Sequence, residues 1–448
     1  MTNHTAANKN LPEYVKKYLN KYGINNTPVN IALSSKFDNI IVVPAIAEHE
    51  NILNLLSSLS LNDKKYFDST LLLFVINNLK NSADEVKKEN RRTMDLLKRT
   101  ICGDAENERE KKIQTGGLNI GFIDAASEKF VLPEKEGGVG LARKIGMDTA
   151  LTLFDYSNSK KKILICLDAD CTVDENYLAS IIDMFNQSNI SAAYVKYEHA
   201  LPKNENEKAA IICYEIFLRY YVLGLKYAGS PYAFPTIGST MICDAESYCK
   251  IGGMNKRKAA EDFYFMEKLA KITSINEIKN TTVHPSSRGS WRVPFGTGQR
   301  VNRFLSKNRN EYLLYDPESF VILKKWNGFF LKEKIETADY YLERAGEIHP
   351  SLKIFLEGNL FAEQWKKILE GSKSSAQIQK QKILWFDGFR TLKLIHFLRD
   401  SSFPEKNMFD ALDEIFKVTK YELRSTRTEM IPNFERQMEY LEALKSLA

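Results

Sequence analysis

Short apolar runs alternate with amphipathic stretches through the first part of the chain. Runs that end at polar residues predict strands over 39–43, 71–76, 120–124 and 162–167. Patterns of helical period predict helices over 48–59, 83–99 and 137–154. Residues 103–117, rich in Glu, Lys and Gly, predict a loop or a helix end. The alternation indicates an α/β fold with a doubly wound, mixed and mostly parallel sheet flanked by helices.

Helical patterns dominate outside this part. Residues 11–22 predict a short amphipathic helix, for which packing on the main domain is favoured over contact with a membrane surface. After residue 305 the helical period returns over 364–369, 382–398 and 408–421. We therefore predict three parts: an N-terminal helical extension over 1–36, the α/β domain over 37–305, and a helical C-terminal region over 306–448.

The apolar stretch over 211–225 is the best candidate for a membrane segment. It contains Glu215 and Arg219 and is shorter than the ~20 apolar residues that span a bilayer. It is interpreted as a buried helix, and its aromatic residues are more typical of a core than of a sugar- or lipid-binding face. The sequence therefore predicts no transmembrane segment and leaves peripheral membrane contact open.

The charge and the cysteines narrow the class of protein. The net charge of +6 is too small to indicate a nucleic-acid partner, but it suits anionic small molecules. Six cysteines without a CxxC pair argue against a disulfide framework and against a zinc ribbon. The first residues, MTNHTAANKN, lack the apolar core of a secretory signal. These features predict a cytoplasmic protein, with contact at the inner face of the membrane left open.

Two acids directly after a buried run carry the sharpest chemical signal. Asp168 and Asp170 follow the apolar run ILICL, so one turn can bring both carboxylates together. Mg²⁺ and Mn²⁺ bind through one or two carboxylates plus substrate phosphates. The pair therefore predicts a divalent metal at a diphosphate. The alternative is a structural turn in which Thr172 and Asp174 cap the next helix.

A second acidic pair opens a predicted helix. Glu261 and Asp262 begin the stretch EDFYFMEKLAK, whose apolar positions have helical spacing. Acids in a first helical turn complement the helix dipole, which is the structural interpretation. The functional interpretation is a general base that faces a cleft.

Two further segments suit phosphate groups. Residues 283–304 combine His284, Arg288 and Arg292 with several glycines, a composition that binds phosphate oxygens. His284 is a candidate third metal ligand, with a structural histidine as the equal alternative. The glycine-rich entry GGVGLARKIGMD (137–148) places Arg143 one turn into a helix, where it can reach a diphosphate or a base. Close helix–strand packing explains those glycines equally well.

Four segments together resemble the family 2 glycosyltransferases of the GT-A fold. VVPAIAE (42–48) is similar to the opening VVPAYNE of that family, and GVGLARKIGMDTAL (138–151) to its GxxxARNxGxxxA helix. LDADCTVDENYL (167–178) resembles its DxD segment. The stretch 238–269 resembles its acceptor-side segment, which ends in Gly-Gly, a short loop and Glu-Asp. The resemblance covers roughly residues 38–305 and identifies the predicted domain over 37–305 as GT-A-like.

The resemblance implies a role for each matching residue. Asp262 would be the catalytic base and Glu261 its support or an acceptor contact. The donor nucleotide-sugar and its metal would be held by residues at strand ends and in the glycine-rich helix: Pro44, Ala45 and Glu48 beside the base, Arg143 near the base or the diphosphate, Asp168 and Asp170 at the ribose and the metal, and His284 completing the metal site.

The chain departs from the family pattern at two places. Ile46 and Ala47 stand where Tyr-Asn is usual, and Asn77 and Asn78 replace the common Asp-Asp after the second strand. Since an acid there usually recognises the donor base or ribose, the nucleotide remains open between UDP and GDP. Asp124, at the end of a later predicted strand, is the candidate that takes over the role.

The resulting hypothesis is a metal-dependent, inverting glycosyltransferase that uses Mn²⁺ or Mg²⁺ and a nucleotide-sugar donor. The acceptor is left open among a glycan, a lipid-linked molecule and a small molecule. A retaining GT-A transferase, which would differ in stereochemistry rather than in its site, is a variant of this hypothesis. A non-catalytic nucleotide-sugar-binding or scaffold protein and a sugar nucleotidyltransferase are the alternatives. The latter would have a loop rich in Gly, Arg and Lys directly after the first strand, where this chain has PAIAEHEN.

Overall fold

The computed structural model describes residues 11–24, 27–31, 36–290, 296–332, 334–423 and 427–447. Contacts within the chain divide it into two compact units. The first comprises residues 1–200, 236–287 and 292–296, and the second comprises 201–235, 288–291 and 297–448. The segment boundaries predicted at 36/37 and 305/306 stay predictions.

The elements of the first unit follow in chain order, with α7 of the second unit between β7 and β8. They are α1 (Glu13–Tyr22), β1 (Val29–Ile31), β2 (Asn39–Ala45), α2 (His49–Leu59), β3 (Thr70–Asn77), α3 (Asp84–Cys102), α4 (Glu108–Gly116), β4 (Asn119–Ala125), α5 (Val139–Leu153), β5 (Ile163–Cys166), β6 (Thr172–Val173), α6 (Tyr177–Gln187), β7 (Ala192–Tyr197), α7 (Glu205–Tyr227), β8 (Met241–Asp244), α8 (Ala245–Lys250), α9 (Glu261–Ala270) and β9 (Asn276–His284).

The second unit contains the remaining elements. They are α10 (Thr297–Ser306), β10 (Leu313–Leu314), α11 (Pro317–Phe330), α12 (Ala338–Ile348), α13 (Pro350–Gly358), α14 (Phe361–Gly371), α15 (Ser375–Trp385), α16 (Gly388–Ser401), β11 (Lys406–Asn407), α17 (Met408–Thr419) and α18 (Phe434–Leu447). Together with the sheet below, these helices confirm the predicted α/β fold with a C-terminal helical region.

One mixed sheet organises the first unit. Within the described residues it has nine strands in the order β1-β4-β3-β2-β5-β8-β7-β9-β6. The neighbours β4, β3, β2 and β5 run parallel, as do β7 and β9, and these pairings contain most of the paired residues. Strands β1, β6 and β8 join antiparallel to their neighbours. The central strands β2 and β3 are buried except at the partly exposed Pro44, which explains their continuous apolar runs.

Helices cover both faces of this sheet. On one face Ile41, Val43 and Phe74 share a core with apolar residues of α2, α3, α4 and α6. On the other face α5 lies so close that a Cβ on Gly146 would meet Val42 at 2.4 Å and Val75 at 2.8 Å. Glycine at this position therefore sets the distance between helix and sheet. The predicted loop or helix end over 103–117 contains α4.

The N-terminal helix α1 is joined to α5 by a buried polar cluster, the Asp148 cluster. Tyr18 and Tyr248 each donate a hydrogen bond of 2.7 Å to Oδ1 of Asp148, which is fully buried. Lys144 pairs with the other oxygen at 2.9 Å and also donates to the Tyr18 hydroxyl. The backbone amide of Ile24 donates to the same carboxylate. Because these buried polar groups are paired with one another by hydrogen bonds or opposite charge, the cluster fixes the position of α1 relative to α5.

An aromatic core holds the second unit together. Trp326 stacks on Phe330 with ring centroids 4.8 Å apart, and the rings of Tyr341, Phe361 and Trp365 surround this pair. Helix α7 belongs to this core through its buried apolar side. Among the described helices, none combines the length and the apolar character that a bilayer-spanning segment requires.

Candidate functional site

Parallel strands bring several predicted site residues to one edge of the sheet. The register pairs Ala45 with Ile76 and Ile76 with Asp124, so the ends of β2, β3 and β4 lie side by side. Strand β5 adjoins β2 on its other side, and Asp168 follows β5 closely. The strand order thus changes direction between β2 and β5, and ligands of open α/β sheets bind at such a switch point.

Asp168 and Asp170 share one tight turn after β5. The amide of Cys171 donates to the carbonyl oxygen of Asp168 at 3.1 Å, which closes the turn. Ala169 between the two acids is buried, while both acids remain partly exposed. The alternative interpretation, in which Thr172 or Asp174 caps α6, is not found, since Asn176 precedes that helix without a side-chain cap.

Arg143 joins this turn to the second acidic pair. Its buried guanidinium contacts Asp168 at 2.5 Å through Nη2 and pairs with Glu261 through Nη1. Burial disfavours the cation, but the charges of Asp168 and Glu261 outweigh it and raise the pKa of Arg143. Its Nε has no hydrogen-bond partner among the described residues. A permanent cation therefore links strand end β5 to the start of α9.

Glu261 and Asp262 begin α9 as predicted, and their environment changes their acidity. Burial raises the pKa of Glu261, an effect that Arg143 partly offsets. Burial and then the neighbouring charge of Glu261 raise the pKa of Asp262 to about 7. Asp262 stays partly exposed and accepts a hydrogen bond of 2.8 Å from the Phe263 amide. A carboxyl with a pKa near neutrality on an accessible helix terminus can exchange a proton with a bound hydroxyl.

Gly238 provides the space that Arg143 occupies. A Cβ at this glycine would lie 2.3 Å from Nη2 and 2.6 Å from Nη1 of Arg143. The glycine lies in the short turn before β8, in the segment GSTMICD. Its role was not predicted, because nothing in the local sequence pattern distinguishes a glycine that makes room for a distant side chain from one that forms a turn.

A network of neutral amide side chains lies at the end of β3. Asn77 donates hydrogen bonds of 3.1 Å to the carbonyl oxygens of Ala45 and Val75. Asn90 on α3, also missed by the sequence analysis, donates to the Asn77 carbonyl and accepts from the Ala47 amide at 2.9 Å. Ala47 has a positive φ of 51°, so this bond holds the loop after β2 in a strained conformation.

Two other predicted nucleotide contacts have local partners. Asp124 accepts hydrogen bonds from the amides of Ala126 and Ser127 and from the Ser127 hydroxyl, and so closes the turn after β4. Glu48 is mostly buried and accepts from Asn51 at 2.5 Å. Both residues lie at the strand-end edge, and their assignment to the donor base stays a prediction.

His284 has oxygen atoms at both ring nitrogens. Nε2 lies 2.8 Å from Asp174 Oδ1, and Nδ1 lies 3.1 Å from the carbonyl oxygen of Glu198. A metal would need one of these nitrogens, so ligation requires that His284 leave one partner. Among the described residues, no group of three or more His, Cys, Asp or Glu side chains is arranged to hold a metal. A site of one or two carboxylates completed by substrate phosphates remains compatible with the Asp168–Asp170 turn.

The contact of the two predicted arginines after β9 with the donor stays a prediction. Arg288 belongs to the second unit, and Arg292 lies outside the described residues. In the second unit Arg300 and Arg303 of α10 both pair with the mostly buried Glu311, at 2.7 Å and 2.5 Å. That cluster therefore supports the packing of α10.

Comparison with known proteins gives only distant likenesses. No protein-family model and no curated protein matches the chain. Solved structures with a similar arrangement include S. aureus TarS 1–349, at 12% identity and a TM-score of 0.36 over 77% of this chain and 89% of that one. The same protein in complex with UDP-GlcNAc gives a TM-score of 0.38 at 12% identity, over 77% and 90% of the two chains. Likenesses this distant carry no argument about function.

Proposed function

We propose that the chain is a glycosyltransferase that moves a sugar from a nucleoside-diphosphate donor to an acceptor hydroxyl with inversion. The observation that carries the proposal is the buried Arg143, which pairs with Asp168 at the sheet's switch point and with Glu261 beside Asp262. The proposal is supported by this link, because Asp168 follows a strand at the edge where ligands of such sheets bind and Asp262 has a near-neutral pKa.

In the proposed reaction, residues of the chain first bind the donor and then activate the acceptor hydroxyl. The donor diphosphate and ribose lie at the strand-end edge beside Pro44, Ala45 and Asp168. The ionised carboxylate of Asp262 takes the proton of the acceptor hydroxyl as its oxygen attacks the anomeric carbon from the face opposite the leaving group. The bond to the nucleoside diphosphate breaks, and the sugar configuration inverts. Glu261 keeps Arg143 in place and raises the pKa of Asp262.

Mg²⁺ or Mn²⁺ belongs to the proposal, with Asp170 and Asp168 as its protein ligands and His284 as a ligand that would first leave Asp174. Such an ion would neutralise the charge that develops on the departing diphosphate. The carboxylate pair fits a hard divalent cation, because oxygen ligands and substrate phosphates are what these ions prefer. The proposed compartment is the cytoplasm.

Release of nucleoside diphosphate from a panel of UDP- and GDP-sugars, with Mn²⁺, Mg²⁺ or a chelator, tests the proposal. Asp262→Asn should lower turnover by about two to four orders of magnitude and leave donor binding unchanged, because it removes only the base. Asp170→Ala should weaken metal-dependent donor binding as well. The control is Asp95→Asn, which neutralises an exposed acid on α3 at the sheet's other face.

Near-normal turnover of Asp262→Asn would refute the base assignment. Complete lack of release and of metal-dependent donor binding would favour the scaffold alternative. Transfer of a nucleotidyl group to a sugar phosphate would establish the nucleotidyltransferase alternative instead.

A further inference from the structure

Three adjacent cations lie on the loop that leads into α9. Lys256, Arg257 and Lys258, which we call the basic loop, are all exposed. Lys256 has an exposed ion pair of 3.2 Å with Glu136. Arg257 and Lys258 form no ion pair with any described residue. Adjacent like charges repel each other and add nothing to a core, so their presence needs a reason outside folding.

The basic loop is fixed to the candidate active site by short contacts. Asn255 accepts a hydrogen bond from the Arg257 amide and donates one of 2.8 Å to the Glu261 carbonyl. A Cβ on Gly140 would lie 2.3 Å from the Arg257 carbonyl oxygen and 3.0 Å from Cβ of Glu261. The backbone of the basic loop and the side chain of Glu261 therefore contact the same residue of α5.

Arg257 is oriented by an aromatic ring on α9. Its guanidinium lies 3.9 Å from the centroid of the Tyr264 ring, and Tyr264 follows Asp262 by two residues. A guanidinium stacked by its face keeps its N–H edge available for a bidentate anion. Arg257 is thus held against α9, and none of the described carboxylates pairs with its guanidinium, so a phosphate or carboxylate can bind there.

We propose that the basic loop is an acceptor subsite, and that the acceptor is an anionic molecule whose phosphate or carboxylate groups lie next to the attacked hydroxyl. The inference rests on the proposed function, because it takes Asp262 as the group that meets the acceptor hydroxyl. Anionic groups of the acceptor bind Arg257 and Lys258, and this contact directs the neighbouring hydroxyl toward Asp262.

Fluorescently labelled sodium polyphosphate and polygalacturonate serve as the phosphate and carboxylate probes, and labelled dextran as the neutral one. Binding is measured by fluorescence anisotropy at increasing salt for the full chain and for K256Q/R257Q/K258Q. We expect the wild type to bind a charged probe and not dextran. The triple variant should bind that probe about tenfold or more weakly and with a smaller salt dependence, because fewer counterions are released.

The matched control is K98Q/K111Q/K112Q, which removes the same charge from exposed positions of α3 and α4 at the other face of the sheet. This control should change the affinity for the charged probe less than twofold, because salt screens charges that lie far from the bound probe. Preference for one probe then identifies the anion as phosphate or carboxylate.

Equal loss in both triple variants, or loss in neither, would overturn the inference, since binding would then follow net charge alone. Tighter binding to phosphatidylglycerol vesicles than to either polymer would overturn it too and would make the basic loop a membrane contact. Nucleoside diphosphate release by the wild type tests the proposed function separately. Release without polyanion binding contradicts only the inference. Polyanion binding without release contradicts the proposed function, and with it the role of the basic loop as an acceptor subsite.

Discussion

The protonation of a single residue, Asp262, should set the pH dependence of turnover. Its pKa is raised to about 7, first by burial and then by the charge of Glu261. A general base acts only when ionised, so turnover should be lost as the pH falls through about 7 and should level off above it. The measurement is nucleoside diphosphate release at saturating donor across neutral pH.

The Glu261→Gln variant is the internal control for this profile. It removes the negative charge that raises the pKa of Asp262, so the midpoint should move to lower pH. A profile whose midpoint is the same in both proteins would show that another group controls the rate.

Gly238 gives a second prediction at the residue scale. In Gly238→Ala the new Cβ would overlap the guanidinium of Arg143, which must then leave Asp168, Glu261 or both. Because a displacement of this size disturbs the alignment of reacting groups, we expect turnover to fall by about a hundredfold. Steady-state kinetics and a thermal melt together check this expectation.

Gly328→Ala on α11 is the matched control, because nothing lies within 4 Å of a Cβ at that position. It should leave turnover unchanged and stabilise the helix slightly. If Gly238→Ala keeps full turnover, Arg143 is dispensable for the alignment of the two acidic pairs.

The sequence indicated the acids of the site better than the residues that hold them. Asp168, Asp170, Glu261 and Asp262 are found where the pattern predicts them, because strand ends and first helical turns are local features. Asn90 was missed although it is a buried polar residue within a charged helix, since its partners lie in loops distant along the chain. Tertiary contacts of this kind produce no periodic pattern in the amino-acid sequence.

Among the elements, α1 should depend most on a few polar contacts. In Tyr18→Phe the Asp148 cluster loses the hydrogen bond to the carboxylate and the acceptor for Lys144. A buried hydrogen bond to a charged group contributes about 1–3 kcal/mol, so the free energy of unfolding should fall by that amount. Urea unfolding followed by circular dichroism measures the change.

Tyr14→Phe makes the same chemical change on the exposed side of α1, because it too removes one tyrosine hydroxyl, and it serves as the control. It should leave the midpoint of unfolding nearly unchanged. Equal effects of the two variants would mean that α1 is held by its apolar face and that the Asp148 cluster adds nothing.

Helices and strands were predictable from the sequence where an apolar or amphipathic pattern extended over enough residues to show its period. The buried runs gave β2, β3, β4 and β5, since both faces of these central strands are covered. The antiparallel strands β6 and β8 have only two and four residues, too few for a period to show. Their places in the sheet follow from pairing with distant strands, which a single sequence does not encode locally.

At the scale of the whole molecule, the two units are not consecutive segments. Helix α7 precedes β8 of the first unit in sequence, yet its buried side packs with α10, α11 and α18. Gly224 shows how close this packing is, because a Cβ there would meet the Phe320 ring of α11 at 2.5 Å. A fragment of residues 1–305 should therefore expose apolar surface on α7, bind the dye ANS strongly and aggregate.

Co-expression of residues 306–448 with this fragment is the control and should reduce both dye binding and aggregation. A monomeric 1–305 fragment that binds no more dye than the full chain would instead support the boundary predicted at 305/306.

The position of α7 also determines when the protein can fold as it leaves the ribosome. Helix α7 ends at Tyr227 and its partner α18 begins at Phe434, so the apolar side of α7 must wait until the long stretch between them has been made. At ordinary rates of synthesis this wait lasts on the order of tens of seconds. During that time the apolar side of α7 is exposed on the nascent chain, and chaperones protect exposed surfaces of this kind. Production of this protein should consequently depend on chaperone supply more than its final stability suggests.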